Sequence, residues 1–77
     1  MSDRQRVPFH GVIRGEGHEA ECSGWCLEIS LSGQPPAYAQ YKIESVDKSL
    51  PDGNYMVFAH GAATMVRRVS GTWLAAH

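Results

Sequence analysis

The chain has 77 residues and a mass of 8.5 kDa, which suffices for one small domain and excludes a second independent core, and a deep, water-free substrate cavity would take away much of that core. A hydrophobic content of 43% with 19% charged residues is typical of a globular protein rather than a disordered one. Seven basic and eight acidic residues give a formal net charge of −1, which argues against a protein that binds nucleic acid through accumulated positive charge.

Turn signals recur about every ten residues along the chain, a spacing typical of short β-strands. They are Gly15-Glu16-Gly17, Ser23-Gly24, residues 32–36, Pro51-Asp52-Gly53, Gly61 and Ser70-Gly71. Since no segment shows three turns of helical periodicity, we predict an all-β fold, a single small antiparallel barrel or SH3-like sandwich of five to six short strands. Residues 1–6 are expected to form a flexible N-terminal segment and residues 7–77 the single β domain.

The first part of the chain is predicted to pair through two turns. A four-residue loop at 14–17 joins strands 7–13 and 18–22, and a two-residue turn at Ser23-Gly24 starts a third strand. Because side chains alternate along a strand, this pairing predicts one apolar face. That face contains Phe9, Ile13, Ala20, Cys22, Trp25, Leu27, Ile29 and Leu31. The opposite face contains His10, Glu19, Glu21, Cys26, Glu28 and Ser30.

The second part begins with a half-buried strand in which Ala39, Tyr41 and Ile43 alternate with polar residues. The Pro-Asp-Gly turn starts a strand at 54–60, and we expect Gly61-Ala62 and Ser70-Gly71 to be two-residue loops. Both faces of these C-terminal hairpins are then substantially apolar. One holds Tyr55, Val57, Ala59, Thr64, Val66, Arg68, Trp73 and Ala75, and the other holds Met56, Phe58, His60, Ala63, Met65, Arg67, Val69 and Leu74. Barrel closure could cover one face and leave the other for a second copy or a target.

The candidate binding residues are Tyr55, Arg67, Arg68 and Trp73. The predicted pairing places Arg68 opposite both Tyr55 and Trp73, so that its guanidinium would stack between two aromatic rings. Tyr, Trp and Arg are the residue types enriched at interaction hot spots. Two other interpretations stay open: the rings could simply cover the hairpin, or they could stack bases of single-stranded nucleic acid with Lys42 nearby.

The candidate metal ligands are His10, His18, Cys22 and Cys26, which could form a structural zinc site. Their Cys-x₃-Cys spacing is not that of a zinc knuckle, and the predicted faces divide the four residues between them. We therefore expect no metal or other cofactor, with Cys22 buried in the core and Cys26 exposed or at an edge. A cross-strand disulfide between the two cysteines is the remaining alternative.

No nucleophile elbow, His-Glu-x-x-His motif or paired-carboxylate signature occurs in the chain, so we do not expect an enzyme. No apolar run approaches the ~20 residues that cross a bilayer, and no signal-peptide pattern follows Met1. We expect a cytoplasmic protein-interaction module of accessory, assembly or inhibitor type, with an unknown protein partner or a homodimer mate and without a membrane partner.

The alternatives to this function are a single-stranded nucleic-acid-binding β-barrel, which the charge disfavours, and a zinc-stabilised domain. The segments 50–55, 66–68 and 71–74 resemble, in general form, small bacterial or phage accessory domains.

Overall fold

The computed structural model describes residues 2–75, and these form six antiparallel strands with no helix. The strands are β1 (Ser2–Gly15), β2 (His18–Leu31), β3 (Ala37–Val46), β4 (Gly53–Ala59), β5 (Ala62–Val69) and β6 (Thr72–Ala75). They lie in one sheet in the order β3-β2-β1-β4-β5-β6. The sheet curls until its two outer strands approach each other, which confirms the prediction of a small all-β barrel.

Three hairpins have two-residue turns in which glycine is the second residue. These turns are Glu16-Gly17, His60-Gly61 and Ser70-Gly71, and all six residues have positive φ. This geometry is that of a type I′ turn, whose twist matches the flanking strands. The prediction was correct for Ser70-Gly71 but wrong for the other two turns, which it placed at 14–17 and at Gly61-Ala62. Each error shifted the predicted strand pairing by two residues. Because side chains alternate between the two faces of a sheet, a shift of two residues leaves each side chain of these hairpins on the face that was predicted.

The predicted turn at Ser23-Gly24 is wrong, because β2 runs through it as a single strand of fourteen residues. Gly24 is needed there for a different reason. A Cβ atom at this position would collide with the carbonyl oxygen of Lys42 in β3, and the pairing of β2 with β3 is irregular at this point. The glycine therefore marks a close approach of two backbones at a bulge.

This continuity changes which side chains of β2 face the core. Cys26 is fully buried and not exposed or at an edge as predicted. Trp25, Leu27 and Ile29, predicted to be on the apolar face, are only half-buried, and Leu31 is exposed. Without a turn, odd-numbered positions of β2 remain on the outer side, because alternation is unbroken along the strand.

The structure extends the first strand back to Ser2, before the expected domain boundary at residue 7. Residues 2–6 pair with residues 27–31 of β2, whereas β1 pairs with β4 only at residues 12–14. The three strands β1, β2 and β3 therefore continue beyond the barrel. The Cα atoms accordingly span 41 × 21 × 18 Å, an elongated shape for a small barrel.

The core is formed by inward-facing side chains of the first five strands and by one residue of the loop before β4. Its buried members are Phe9, Ile13, Ala20, Cys22, Cys26, Tyr41, Ile43, Leu50, Tyr55, Val57 and Val66. The alternation predicted for β3 is confirmed, since Tyr41 and Ile43 are buried and Lys42 is exposed. The C-terminal hairpins bury the face that carries Tyr55, Val57 and Val66.

Side chains also join β3 to the turn between β4 and β5. His60 in that turn stacks on Tyr38 with ring centroids 3.7 Å apart, and its Nδ1 lies 2.9 Å from the hydroxyl oxygen of Tyr41. We call His60, Tyr38 and Tyr41 the aromatic clasp, because their contacts hold one end of β3 against the rest of the barrel.

Candidate functional site

The barrel is open along one line, between β3 and β6. These are the two outer strands of the sheet, and among residues 2–75 no backbone pairing joins them. A cleft of about 280 Å³ lies along this line, which we call the seam cleft. It is lined by Glu44, Val46, Lys48, Ser49, Leu50, Arg68, Gly71 and Trp73. Two of the four predicted binding residues, Arg68 and Trp73, thus lie in a concave site.

Trp73 occupies the centre of an aromatic stack beside the seam cleft. Its ring meets Tyr55 edge-on, with centroids 5.2 Å apart and an interplanar angle of 72°. The Arg68 guanidinium carbon lies 5.0 Å from the Trp73 ring centroid. The stack therefore runs Tyr55–Trp73–Arg68, and not with the arginine between the rings as predicted. The reason is the turn at His60-Gly61, which pairs Tyr55 with Val66 and leaves Arg68 opposite Gly53 and Trp73.

Tyr55 supports the site from the interior. Its ring is 2% exposed, and its hydroxyl donates a hydrogen bond to the carbonyl oxygen of Pro51. Burial raises the pKa of Tyr55 above 10.0, and the Glu16 carboxylate adds to this rise. Tyr55 thus positions Trp73 and offers no accessible surface of its own to a partner.

Asp52 fixes the wall of the seam cleft that Arg68 and Trp73 form. Its two carboxylate oxygens accept hydrogen bonds from the backbone N–H groups of Ser70 and Gly71, at 2.8 and 3.1 Å. One of them also lies 3.7 Å from Nε of Arg68. The sequence analysis assigned Asp52 only to a turn and missed this role, because the turn that it caps lies 18 residues further along the chain.

The charges of the seam cleft come from both of its sides. Glu44 belongs to β3, Lys48 belongs to the loop that follows it, and Arg68 belongs to β5. Lys48 is held in place because its Nζ donates a hydrogen bond to the carbonyl oxygen of Glu19. Lys42, expected near Trp73 in the nucleic-acid interpretation, pairs instead with Trp25 of β2.

Arg67, the fourth predicted binding residue, lies on the outer side of the hairpins with a row of exposed apolar side chains. It pairs with Asn54 and Leu74 and is exposed. We call this surface the outer hairpin face. Its large exposed apolar members are Phe58 (40% exposed), Met65 (53%), Val69 (38%) and Leu74 (49%). Four of the five exposed large apolar residues of the described chain therefore share one surface.

The four candidate zinc ligands do not form a cluster. Cys22 and Cys26 face the interior, whereas His10 and His18 are exposed. No group of three or more potential metal-binding side chains occurs within the described residues. Both cysteines are free thiols. They lie on one strand, four residues and about 13 Å apart, too far for the disulfide considered above.

A third feature is an open groove of about 610 Å³ at the end of the outer hairpin face. His10, Phe58 and the turn residues His60 and Gly61 line it.

Within residues 2–75, no helix is long and apolar enough to cross a membrane. Comparisons with known protein families, curated proteins and solved structures find no match to this chain.

Proposed function

We propose that this protein is a non-catalytic, cytoplasmic protein-interaction module that binds an extended segment of a partner protein in the seam cleft. The observation that carries the proposal is the aromatic stack of Trp73 and Arg68 beside two strand edges without a backbone partner. An extended segment can pair with one such edge by adding a strand, and side-chain pockets then give specificity.

The depth and composition of the cleft support this ligand class. A volume of about 280 Å³ accommodates one or two side chains of such a segment. Trp73 presents a half-buried ring, and the Arg68 side chain is only 23% exposed. Rigid, partly desolvated Trp and Arg side chains are the usual centre of an interaction hot spot.

The charges favour a segment with an acidic residue next to an apolar one. Lys48 and Arg68 contribute two positive charges to the cleft lining, and Glu44 contributes one negative charge. Asp52 engages the Nε side of Arg68. The remaining guanidinium N–H groups can donate to a carboxylate, as Arg does in many interfaces.

The test is a selection of random peptides of about ten residues displayed on phage, with the full-length protein immobilised. We expect the selected peptides to bind the wild type and to lose at least about tenfold in affinity against Trp73→Ala, equivalent to about 1.4 kcal/mol. Hydrogen–deuterium exchange on the complex should show slower exchange at backbone amides of the edge that pairs with the peptide, either β3 or β6.

Two controls make this test specific. Arg68→Gln retains much of the side-chain stem while removing its charge, and Leu31→Thr alters an exposed apolar residue far along β2. The first should reduce peptide affinity and the second should not. Peptides that bind Trp73→Ala as tightly as the wild type would refute the proposal. Capture of single-stranded oligonucleotides that weakens steeply with salt, without peptide capture, would favour the nucleic-acid alternative.

A further inference from the structure

We infer that the free edge of β1, over residues 4–10, pairs with an extended segment of a partner protein that carries acidic side chains at alternate positions. This site is separate from the seam cleft. β4 pairs with β1 only at residues 12–14, and no other strand of the described chain pairs with that side of β1. The groove of about 610 Å³ lies where β4 leaves β1, with His10 and Phe58 in its lining. From this groove back to Arg4, the edge of β1 is open to an added strand.

The pairing of β1 with β2 determines which backbone groups point toward this edge. The two-residue turn Glu16-Gly17 makes Gly15 and His18 a hydrogen-bonded pair, and the register of the two strands is regular over their whole length. Odd-numbered residues of β1 therefore bond to β2, and even-numbered residues direct their backbone groups to the opposite side. Pro8, which has no N–H group, occupies an even position, as expected for proline in an edge strand.

The side chains of the same even positions carry the positive charge of this edge. Arg4 and Arg6 are exposed and lie about 7 Å apart along the strand. The Arg6 guanidinium carbon lies 4.1 Å from the Trp25 ring centroid, and none of the ion pairs between described side chains involves either arginine. Residues directly opposite each other in an antiparallel pair share a face. Two acidic residues of an added strand, two positions apart, would therefore lie next to the two guanidinium groups.

The positions between the arginines and the groove favour apolar side chains on the other face. Val7 is half-buried and packs against the core, and Ala59, Ala62 and Ala63 contribute apolar surface to the groove. A segment in which acidic and apolar residues alternate matches both faces of the edge, because successive side chains of a strand point to opposite faces.

The charges of the edge disfavour pairing between two copies of β1. Antiparallel pairing of residues 4–8 with the same residues of a second copy places the two Arg6 side chains directly opposite each other. Like charges in that position are destabilising, and charged residues and proline on an edge strand protect against self-association. An acidic segment gains from the same arginines, so the edge selects a partner of opposite charge.

The test uses two synthetic peptides of about eight residues, in which valine alternates with glutamate or with lysine. We expect the full-length protein to bind the lysine peptide at least about tenfold more weakly than the glutamate peptide. Amide exchange measured by NMR should then slow at Arg4 and Arg6, whereas Gln5 and Val7 are already protected by β2. Arg4→Glu/Arg6→Glu should reverse the preference between the peptides. Lys42→Glu is the matched control, since Lys42 is exposed on β3, two strands from β1, and it should keep the preference.

Backbone methylation tests the geometry without changing any charge, and it remains informative if the double variant fails to fold. The glutamates of the bound peptide lie opposite Arg4 and Arg6, so their N–H groups point to β1 and those of the valines point away. Methylation of the glutamate nitrogens should abolish binding, and methylation of the valine nitrogens should not. Equal effects of the two methylations, equal binding of the two peptides, or no binding at about 1 mM would overturn the inference.

Two further outcomes would also overturn it. Slow exchange at Arg4 and Arg6 in the free protein, together with a mass of two chains, would mean that β1 pairs with a second copy. The glutamate peptide should still bind Trp73→Ala, because the seam cleft does not contribute to this site. Loss of binding in that variant, with slower exchange in β3 or β6 instead of β1, would place the peptide in the seam cleft and support the proposed function alone.

Discussion

The two cysteines are internal packing residues whose ionisation opposes the folded state. Burial raises the pKa of the Cys26 thiol above 9.0, and the Glu28 carboxylate adds to this rise. Burial likewise raises the pKa of Cys22, and Asp47 adds to this effect more weakly. Because the charged thiolates are disfavoured only in the folded protein, the unfolded chain releases these protons at lower pH.

We therefore expect the two thiols to leave the stability unchanged from pH 7 to about pH 9 and to lower it above that pH. The sign follows from proton binding: between the unfolded and folded pKa values the folded state holds more protons, so rising pH favours unfolding. Thermal melts between pH 7 and pH 10 should show this decline, and it should be shallower in Cys22→Ala/Cys26→Ala. An equal decline in that variant would contradict a thiol origin. Native thiols should also react slowly with a thiol reagent, because both are at most 2% exposed.

The burial of individual residues could be predicted from the sequence where apolar and polar residues alternate regularly. It could not be predicted where the apolar positions change from one side of the strand to the other. Phe9, Ile13 and Cys22 were correctly placed in the core from their period-two pattern. The apolar residues shift from even to odd positions between Cys22 and Trp25, which the sequence analysis explained by a turn. The actual reason is that β2 continues without a turn: Cys26 still faces the core on the even side, and only beyond it, where β2 outlasts the barrel, does the even side have no core. Sequence periodicity alone does not distinguish a reversal of the chain from a strand that leaves the core.

At the scale of elements, the loop between β3 and β4 links distant hairpins through its polar residues. Asp47 accepts a hydrogen bond from the backbone N–H of Glu21 at 3.1 Å, and its own N–H donates to the carbonyl oxygen of Glu21 at 3.0 Å. Asp52 binds the turn at Ser70-Gly71. The loop is thus tied to β2 at one end and to the β5–β6 hairpin at the other, so it closes part of the barrel where strands do not pair.

Asp52→Ala should destabilise the β5–β6 hairpin more than the rest of the sheet. It removes the acceptor of two backbone N–H groups and the charge beside Arg68, and we expect the free energy of unfolding to fall by about 1–2 kcal/mol. Urea unfolding followed by tryptophan fluorescence measures this. Asp52→Asn is the matched control, because its amide oxygen still accepts one hydrogen bond and should lose less. Equal losses in the two variants would show that only the charge matters.

Turn chemistry explains which hairpins could be positioned from the sequence. In a type I′ turn the glycine occupies the second position, so Glu-Gly, His-Gly and Ser-Gly each define the pairing of their strands. Applied to Gly61, this rule places His60 in the turn, and it gives Tyr55 opposite Val66 without any structure. The bulge near Gly24 has no such local signal, because it depends on where β3 passes.

For the whole molecule, the fold class could be read from the sequence, but the barrel closure could not. The strand content follows from alternation and from regular turn signals, which are local. Closure depends on side chains far apart in the chain, such as His60 with Tyr38 and Tyr41, and Trp73 beside Leu50. The seam cleft lies where, within residues 2–75, β3 and β6 do not pair. Arg68 and Trp73 were therefore correctly identified as neighbours in sequence analysis, but their concave setting was not.

The aromatic clasp should control how firmly β3 is held and hence how open the seam cleft is. His60→Asn removes the ring that stacks on Tyr38, while asparagine tolerates the positive φ of 55° at this position. Tyr41→Phe removes only the hydroxyl and keeps the edge-on contact with Phe9, whose centroid lies 5.0 Å away. Both variants should accelerate amide exchange in β3 relative to β4 and β5, and His60→Asn should do so more, since it loses both contacts.

The loss of one hydrogen bond corresponds to about 1 kcal/mol, or about a fivefold faster exchange of the amides that open with β3. Because β3 also forms one wall of the seam cleft, a looser β3 should weaken peptide binding there without changing Trp73. Exchange in β3 that is unaffected by either variant would contradict this coupling, and would mean that pairing with β2 alone holds the strand. Faster exchange spread evenly over all six strands would instead indicate general destabilisation.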